Sequence, residues 1–372
     1  MSLPSGRVSL EAHPRIYCVG DVHGDLNAFL GVLEFSGLAH VPPAVKRIAE
    51  ECPTTSADRM RNPLTGGQMA SVRWTGGANA VLFLGDVLDN RRGHRDDPFG
   101  VCGYAGTQTQ IMQLLLQLRK QAGKKGGKVM WVLGNHDVGN VIKKNNHWFC
   151  TGYAPQHHTL PNSDEVYETC DSSGFSKEHR DHVKGVMKEM RCTSMVQIHG
   201  GGHSVIALHG GISPRAMQIF SSTAAGPYQL EAEDPLGNIR QMNRLYYDAI
   251  HRDDTTAIHI LNRYNKHTPT WCRPTRVEDP NLMRTFFGTS RMCKAHDVQE
   301  KGANCSAGGA RRRLGGGYTL VSGEMGEVDL CRIDVGMSRC FAKYVPRRKI
   351  TYLALELREG KLYREIHEKV IS

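Results

Sequence analysis

Apolar residues fall along the chain in short runs that stop abruptly at polar, glycine-containing turns. Ile16-Tyr17-Cys18-Val19 leads into Gly20-Asp21-Val22-His23-Gly24, after which Leu26, Phe29, Leu30 and Leu33 recur at the spacing of one helical face. Ala80-Val81-Leu82-Phe83-Leu84 ends at Gly85-Asp86, and Ile111, Leu114, Leu115 and Leu118 form a later helical stripe. Val129 to Leu133 ends at Gly134-Asn135-His136-Asp137. An apolar run followed by a turn and an amphipathic helix is the signature of a βα unit, so the pattern predicts a mixed α/β (α+β) chain. A fourth run, Ser204 to Leu208, ends at His209-Gly210-Gly211, and Met195 to Ile198 with Gly200-Gly201-Gly202 reads as its hairpin partner. Arg291 to Ala295 is a further strand end, followed by His296. Residues 349–366 alternate around Arg358-Glu359-Gly360 and read as a closing hairpin.

Between these elements, 41–78 and 138–194 are long for connections within a compact fold. They read as insertions around the mouth of a site, within one domain spanning 1–372, with Lys177 to Met190 helical. The glycine-rich stretch 301–317, which carries Arg311, Arg312 and Arg313, reads as a flexible loop. At 40% hydrophobic and 23% charged residues the chain is neither disordered nor fibrous. None of the 11 cysteines forms a C-x-x-C pair, which argues against a zinc knuckle, a thioredoxin motif or a full disulfide framework and for mostly reduced, buried thiols. No apolar stretch approaches the roughly 18 residues of a membrane span, and the first residues lack a signal peptide's apolar region, so a soluble cytoplasmic protein is expected. The net charge of +10 favours anionic partners. Basic heptads and zinc-finger spacing are absent and aromatic residues make up only 7%, so the charge gives no firm case for nucleic acid.

In open α/β sheets, sites gather at the carboxyl ends of strands, and the chemistry here is concentrated there. Asp21 and His23 are two apart at a strand end, so in extended geometry their side chains point the same way and can share a metal. Asp86 stands at the second strand end, Asn135 at the third, His209 at the fourth and His296 after a fifth. Singly, Asp or Asn in such a turn is a helix cap. Together they form an oxygen and nitrogen donor set that suits Mn, Fe or Zn and disfavours a thiolate site.

These four motifs, GDVHG, GDVLD, GNHD and LHGG, resemble those of the metallophosphoesterase superfamily and, within it, the phosphoprotein phosphatase family. The resemblance covers about 15–339 and is closest to the Shewanella-like phosphatase branch, through Trp74-x-Gly76-Gly77, Gly134 to Val141, Trp271-Cys272-Arg273 and Arg332 to Ser338. It implies a calcineurin-like fold, a central β-sandwich flanked by helices, holding two divalent metal ions, with manganese the expected metal in vitro. Asp21, His23 and Asp86 would hold the first metal, and Asp86, Asn135, His209 and His296 the second. A metal-bridging hydroxide would attack phosphorus in line while His136, oriented by Asp89, protonates the leaving alkoxide. The family's GDxxDRG is altered here: Asn90 occupies the arginine position, so Arg91 is expected to grip the phosphate instead, with Arg273 as the second clamp. The expected substrate is a protein phosphorylated on Ser or Thr. Nucleoside polyphosphates, such as a dinucleoside polyphosphate or an mRNA cap, are the alternative, and a non-catalytic scaffold is a third reading.

Overall fold

The computed structural model describes residues 6–51, 62–88, 106–142, 157–159, 166–168, 170–171, 174–175, 177–274, 277, 279–296, 303–306, 308–315, 317–334 and 349–370. A seven-stranded sheet runs in the order Ala310–Gly315, Tyr318–Glu324, Lys361–Val370, Lys349–Arg358, Ile16–Val19, Ala80–Leu84, Lys128–Val132. Its last three strands are parallel and in register, with Val19 beside Phe83 and Phe83 beside Trp131, so their carboxyl ends lie level. A six-stranded sheet runs Arg7–Ser9, Met195–Gly200, His203–Leu208, Ser290–Lys294, Val328–Arg332, Asn304–Cys305. There, His203–Leu208 and Ser290–Lys294 are parallel, with Leu208 beside Lys294.

The two sheets meet through buried contacts. The Arg364 guanidinium lies 2.9 Å from Asp329, both almost wholly buried, and a Cβ on Gly20 would sit only 3.1 Å from the Ile333 carbonyl. Helices Leu26–Phe35 and Thr107–Gly123 pack on the seven-stranded sheet, and Pro235–His251 on the six-stranded one. Asp25 caps the first helix by accepting from the amides of Asn27 and Ala28 at 3.0 and 3.1 Å, so the polar turn after Ile16–Val19 also starts a helix. The architecture is the mixed α/β arrangement of sheets flanked by helices that the apolar runs predict.

Both expected hairpins form around two-residue turns with positive φ, Gly201-Gly202 and Glu359-Gly360, the geometry that matches strand twist. The closing hairpin runs on to Val370, past the expected end. Helix Lys177–Met190 is present, and the 41–78 stretch contains helices Pro43–Glu50 and Gly66–Ser71.

Two expectations are corrected. The stretch read as a flexible loop contains Asn304–Cys305 and Ala310–Gly315, the latter paired antiparallel with Tyr318–Glu324. A partner strand supplies ladder bonds that composition alone does not reveal. Cys305 and Cys331 are a disulfide rather than two thiols: they are register partners on adjacent strands, 4.0 Å apart at Cα. Cys18, Cys192, Cys272 and Cys293 are thiols outside any disulfide, as expected. Among the described residues no helix is long and apolar enough to cross a membrane.

Candidate metal centre

The site is built from strand-end turns that hold one another. The amides of Val22 and His23 donate to the Asp86 carbonyl at 3.1 and 2.7 Å, and that of Gly24 to the Val87 carbonyl at 2.7 Å. The His136 amide donates to Asp86 Oδ1 at 2.9 Å. Packing leaves no room for side chains between the turns: a Cβ on Gly134 would lie 2.2 Å from the Asp86 amide nitrogen, and one on Gly85, at φ 88°, 2.6 Å from Gly134. His23, Asp86 and His296 have φ of 46°, 47° and 70°, left-handed conformations that cost a non-glycine residue energy and that the surrounding structure must enforce.

All six donors expected from the sequence come together. Asp21, His23, Asp86, Asn135 and His209 are at most 1% exposed, and His296 6%. The Asp86 carboxylate is the hub: its Oδ2 lies 3.3 Å from His209 Nε2, 3.6 Å from His23 Nε2 and 3.9 Å from His136 Nε2. That oxygen accepts no hydrogen bond of good geometry, a costly state for a buried carboxylate. His209 Nε2 also lies 3.0 Å from both Asn135 Oδ1 and His296 Nδ1. Two overlapping groups with metal-ligand spacing result, Asp21 with His23 and Asp86, and Asp86 with His209 and His296. An orphaned oxygen ringed by imidazole nitrogens, shared by two such groups, fits a cation on either side of Asp86.

Surrounding bonds aim these donors. His209 Nδ1 is 2.7 Å from the Leu84 carbonyl, so Nδ1 carries the proton and donates, while Nε2 faces Asp86. The His296 amide donates to Asp21 Oδ1 at 3.2 Å, joining the two sheets at the site. Burial disfavours charge on both Asp86 and His209, but their mutual attraction dominates. His209, His136 and His23 hold the Asp86 carboxyl well below the usual range, and Asp86 and Asp21 push His209 up to about 9. Burial, then the neighbouring His209 charge, pushes His296 far down. The carboxylates thus draw positive charge to the place where a cation would bind.

His136 stands beside this cluster, 2% exposed, its ring edge-on to His23 at 5.0 Å. Arg273 is exposed and donates from Nε to His296 Nε2 at 2.9 Å, so its guanidinium lies at the rim of the donor cluster. Asp89 and Arg91 lie outside the described residues. Asp137 has a role the sequence did not announce. Its carboxylate accepts from the amides of Leu88 and Gly134 and from Trp131 Nε1, at 3.0, 2.9 and 2.9 Å, locking the turn that carries Asn135 and His136. Burial, and then the Asp86 charge, raise its carboxyl to about 6. Its place at the third position of a helix opened by Gly134 is the one signal that could have marked it as a cap. Trp271 sets its ring edge-on to His296 at 5.7 Å, a contact no spacing rule reveals.

The chain is 23% identical over 324 residues to Shewanella-like protein phosphatase 2 of Arabidopsis thaliana, covering 79% of this chain and 68% of that protein. Among solved structures, a cold-active protein tyrosine phosphatase is similar at 14% identity, covering 98% of this chain and 78% of its own, with a TM-score of 0.47. The cold-active protein-tyrosine phosphatase of a psychrophilic Shewanella species is similar at 15% identity over 98% and 80%, also with a TM-score of 0.47. The calcineurin-like phosphoesterase family matches residues 14–298, a span that contains every donor of the cluster and His136, and the chain belongs to that family of metal-dependent phosphoester hydrolases.

Proposed function

We propose that this chain is a protein phosphatase that hydrolyses phosphoserine and phosphothreonine monoesters. One observation carries the metal-dependent part of this reading: Asp86 Oδ2, buried and without a hydrogen bond, faces three imidazole nitrogens within 3.9 Å. Asp21, His23 and Asp86 would hold one divalent cation, and Asp86, Asn135, His209 and His296 a second. When bound, such a pair supplies Lewis-acid polarisation of the phosphoryl group and a nucleophile drawn from water at neutral pH. The donor set brings only two carboxylates, so the occupied site keeps a positive charge and attracts a phosphate dianion.

His136, beside Asp86 and buried from bulk water, acts as the general acid and gives its proton to the departing alkoxide oxygen. Asp89 orients that imidazole. Arg273, whose guanidinium stands at the rim beside His296, and Arg91 grip the phosphoryl oxygens, for which a planar guanidinium is the best match. The similarity to a Shewanella-like protein phosphatase supports a phosphoprotein substrate.

The test is turnover, side by side, of phosphoserine, phosphothreonine and phosphotyrosine peptides, a dinucleoside polyphosphate and an aryl phosphate. The reading predicts that phosphoserine or phosphothreonine peptides have the highest kcat/KM. Preference for the dinucleotide by orders of magnitude would replace the protein substrate, and preference for phosphotyrosine would replace the alkyl ester.

A further inference from the structure

The seven-stranded sheet ends in an unusual edge. Arg311, Arg312, Arg313 and Leu314 are consecutive and exposed on Ala310–Gly315, and Leu314 is 53% exposed. Among the described residues only Tyr318–Glu324 pairs with this strand in the sheet, on one side. Arg311 comes no nearer than 3.9 Å to Glu368, a carboxylate that already binds the Lys349 ammonium at 2.8 Å. Among the described residues no carboxylate lies within 4 Å of Arg312 or Arg313, and the exposed Lys369 adds charge near the same end. Side chains alternate along the strand, so Arg311 and Arg313 share the face of Glu368 while Arg312 projects from the other, and like charge on both faces of one edge favours an anionic partner.

Strand register ties this edge to the reaction centre. Arg313 is paired with Thr319, Thr319 with Glu368 and Glu368 with Thr351. Thr351 lies one position beyond the Tyr352–Val19 pair, beside Gly20, whose next residue is the metal-ligand candidate Asp21. Arg313 therefore stands on the strand-end row that carries the site, four strand spacings away, or roughly 19 Å at about 4.8 Å each. An extended peptide covers that distance with about six residues at 3.3 Å per residue.

We propose that the arginine edge docks an acidic segment of the phosphoprotein substrate, about six residues from the phosphorylated side chain; this rests on the phosphoprotein reading above. Carboxylates are the complementary chemistry for exposed guanidinium groups, and an extended segment anchored at Arg313 can run along the strand-end row toward the metal centre. A nucleic-acid strand fits less well. Stacking rings are what such strands need, the edge strand has none, and the neighbouring Tyr318 hydroxyl is bonded to His367.

The experiment uses the metal-loaded full chain and two series of phosphopeptides, with four Asp or four Ala placed about six residues to either side of one phosphosite. In one of the two series the acidic peptide is expected to show a KM about tenfold lower, equivalent to about 1.4 kcal/mol. That preference should shrink several-fold between about 0.05 and 0.5 M salt. Arg312→Gln/Arg313→Gln should cut it below twofold while kcat/KM for an aryl phosphate stays unchanged, which also reports an intact site. Equal KM values for acidic and alanine peptides in both series, or a preference that survives the double substitution, would overturn the docking role. A double variant that loses single-stranded RNA binding with its peptide kinetics unmoved would overturn the occupant. If no phosphopeptide is turned over while the aryl phosphate is, the phosphoprotein reading itself fails, and the docking role with it.

Discussion

The two halves of the donor cluster are assembled by different means. Asp21 and His23 come from a single turn after Ile16–Val19, their separation fixed by local backbone, including the positive φ of His23. Asn135, His209 and His296 come from three strand ends in two sheets, and a bond such as His296 N–H to Asp21 Oδ1 spans 275 residues. The first half needs one turn to be right. The second needs the sheets to meet in register, which the His209–Leu84 and Leu133–Thr193 bonds accomplish at 2.7 Å each. Asp86 belongs to both halves, and this makes it the most sensitive position in the molecule.

Asp86→Asn strikes both halves at once. Turnover of an aryl phosphate is expected to fall by 10³ or more, in line with loss of the main electrostatic element of a site. Bound metal should drop from two ions per chain to less than one by elemental analysis, while circular dichroism stays native. His136→Gln leaves both halves intact and separates proton transfer from metal binding. Its kcat should fall by about 10² to 10⁴ with metal content unchanged, and the loss should be smallest for aryl phosphates whose leaving groups need no proton. His209→Ala breaks only the half that joins the sheets. Metal content should approach one ion per chain, and retention of both ions would show that the halves are not divided as described.

Smaller effects sharpen the comparison. Asp137→Asn weakens the lock on the turn of Asn135 and His136. With three donors facing a poorer acceptor, stability should fall by about 2 kcal/mol in urea denaturation. Arg273→Gln touches only the rim, so KM for phosphoester should rise by about tenfold with both ions retained.

Much of this was legible in the sequence because four strands of the site are apolar runs that lead into glycine-containing turns, whereas Ser290–Lys294, which supplies His296, is neither apolar throughout nor followed by glycine. The Gly85 and Gly134 positions show why: the turns pack so closely that a Cβ on Gly85 would lie 2.6 Å from Gly134, so neither tolerates one. The left-handed backbone of His23, Asp86 and His296 was hidden, since none is glycine and the strain is imposed by tertiary contacts. Strand Ala310–Gly315 was hidden for a related reason. Arginine and glycine favour a loop locally, and the neighbouring strand overrides them. The Cys305–Cys331 disulfide depends on the register of two strands, which cysteine spacing does not encode. Asp137 looked like a neighbour of His136 and proved to be the lock of its turn.

The central claim is that one carboxylate joins two metal sites, and electron paramagnetic resonance of the manganese-loaded chain tests it most directly. Two ions per chain with an exchange-coupled spectrum, converted to the six-line pattern of isolated ions by Asp86→Asn, is the predicted result. A six-line spectrum at one ion or fewer in the wild type, or coupling that survives the substitution, would contradict it.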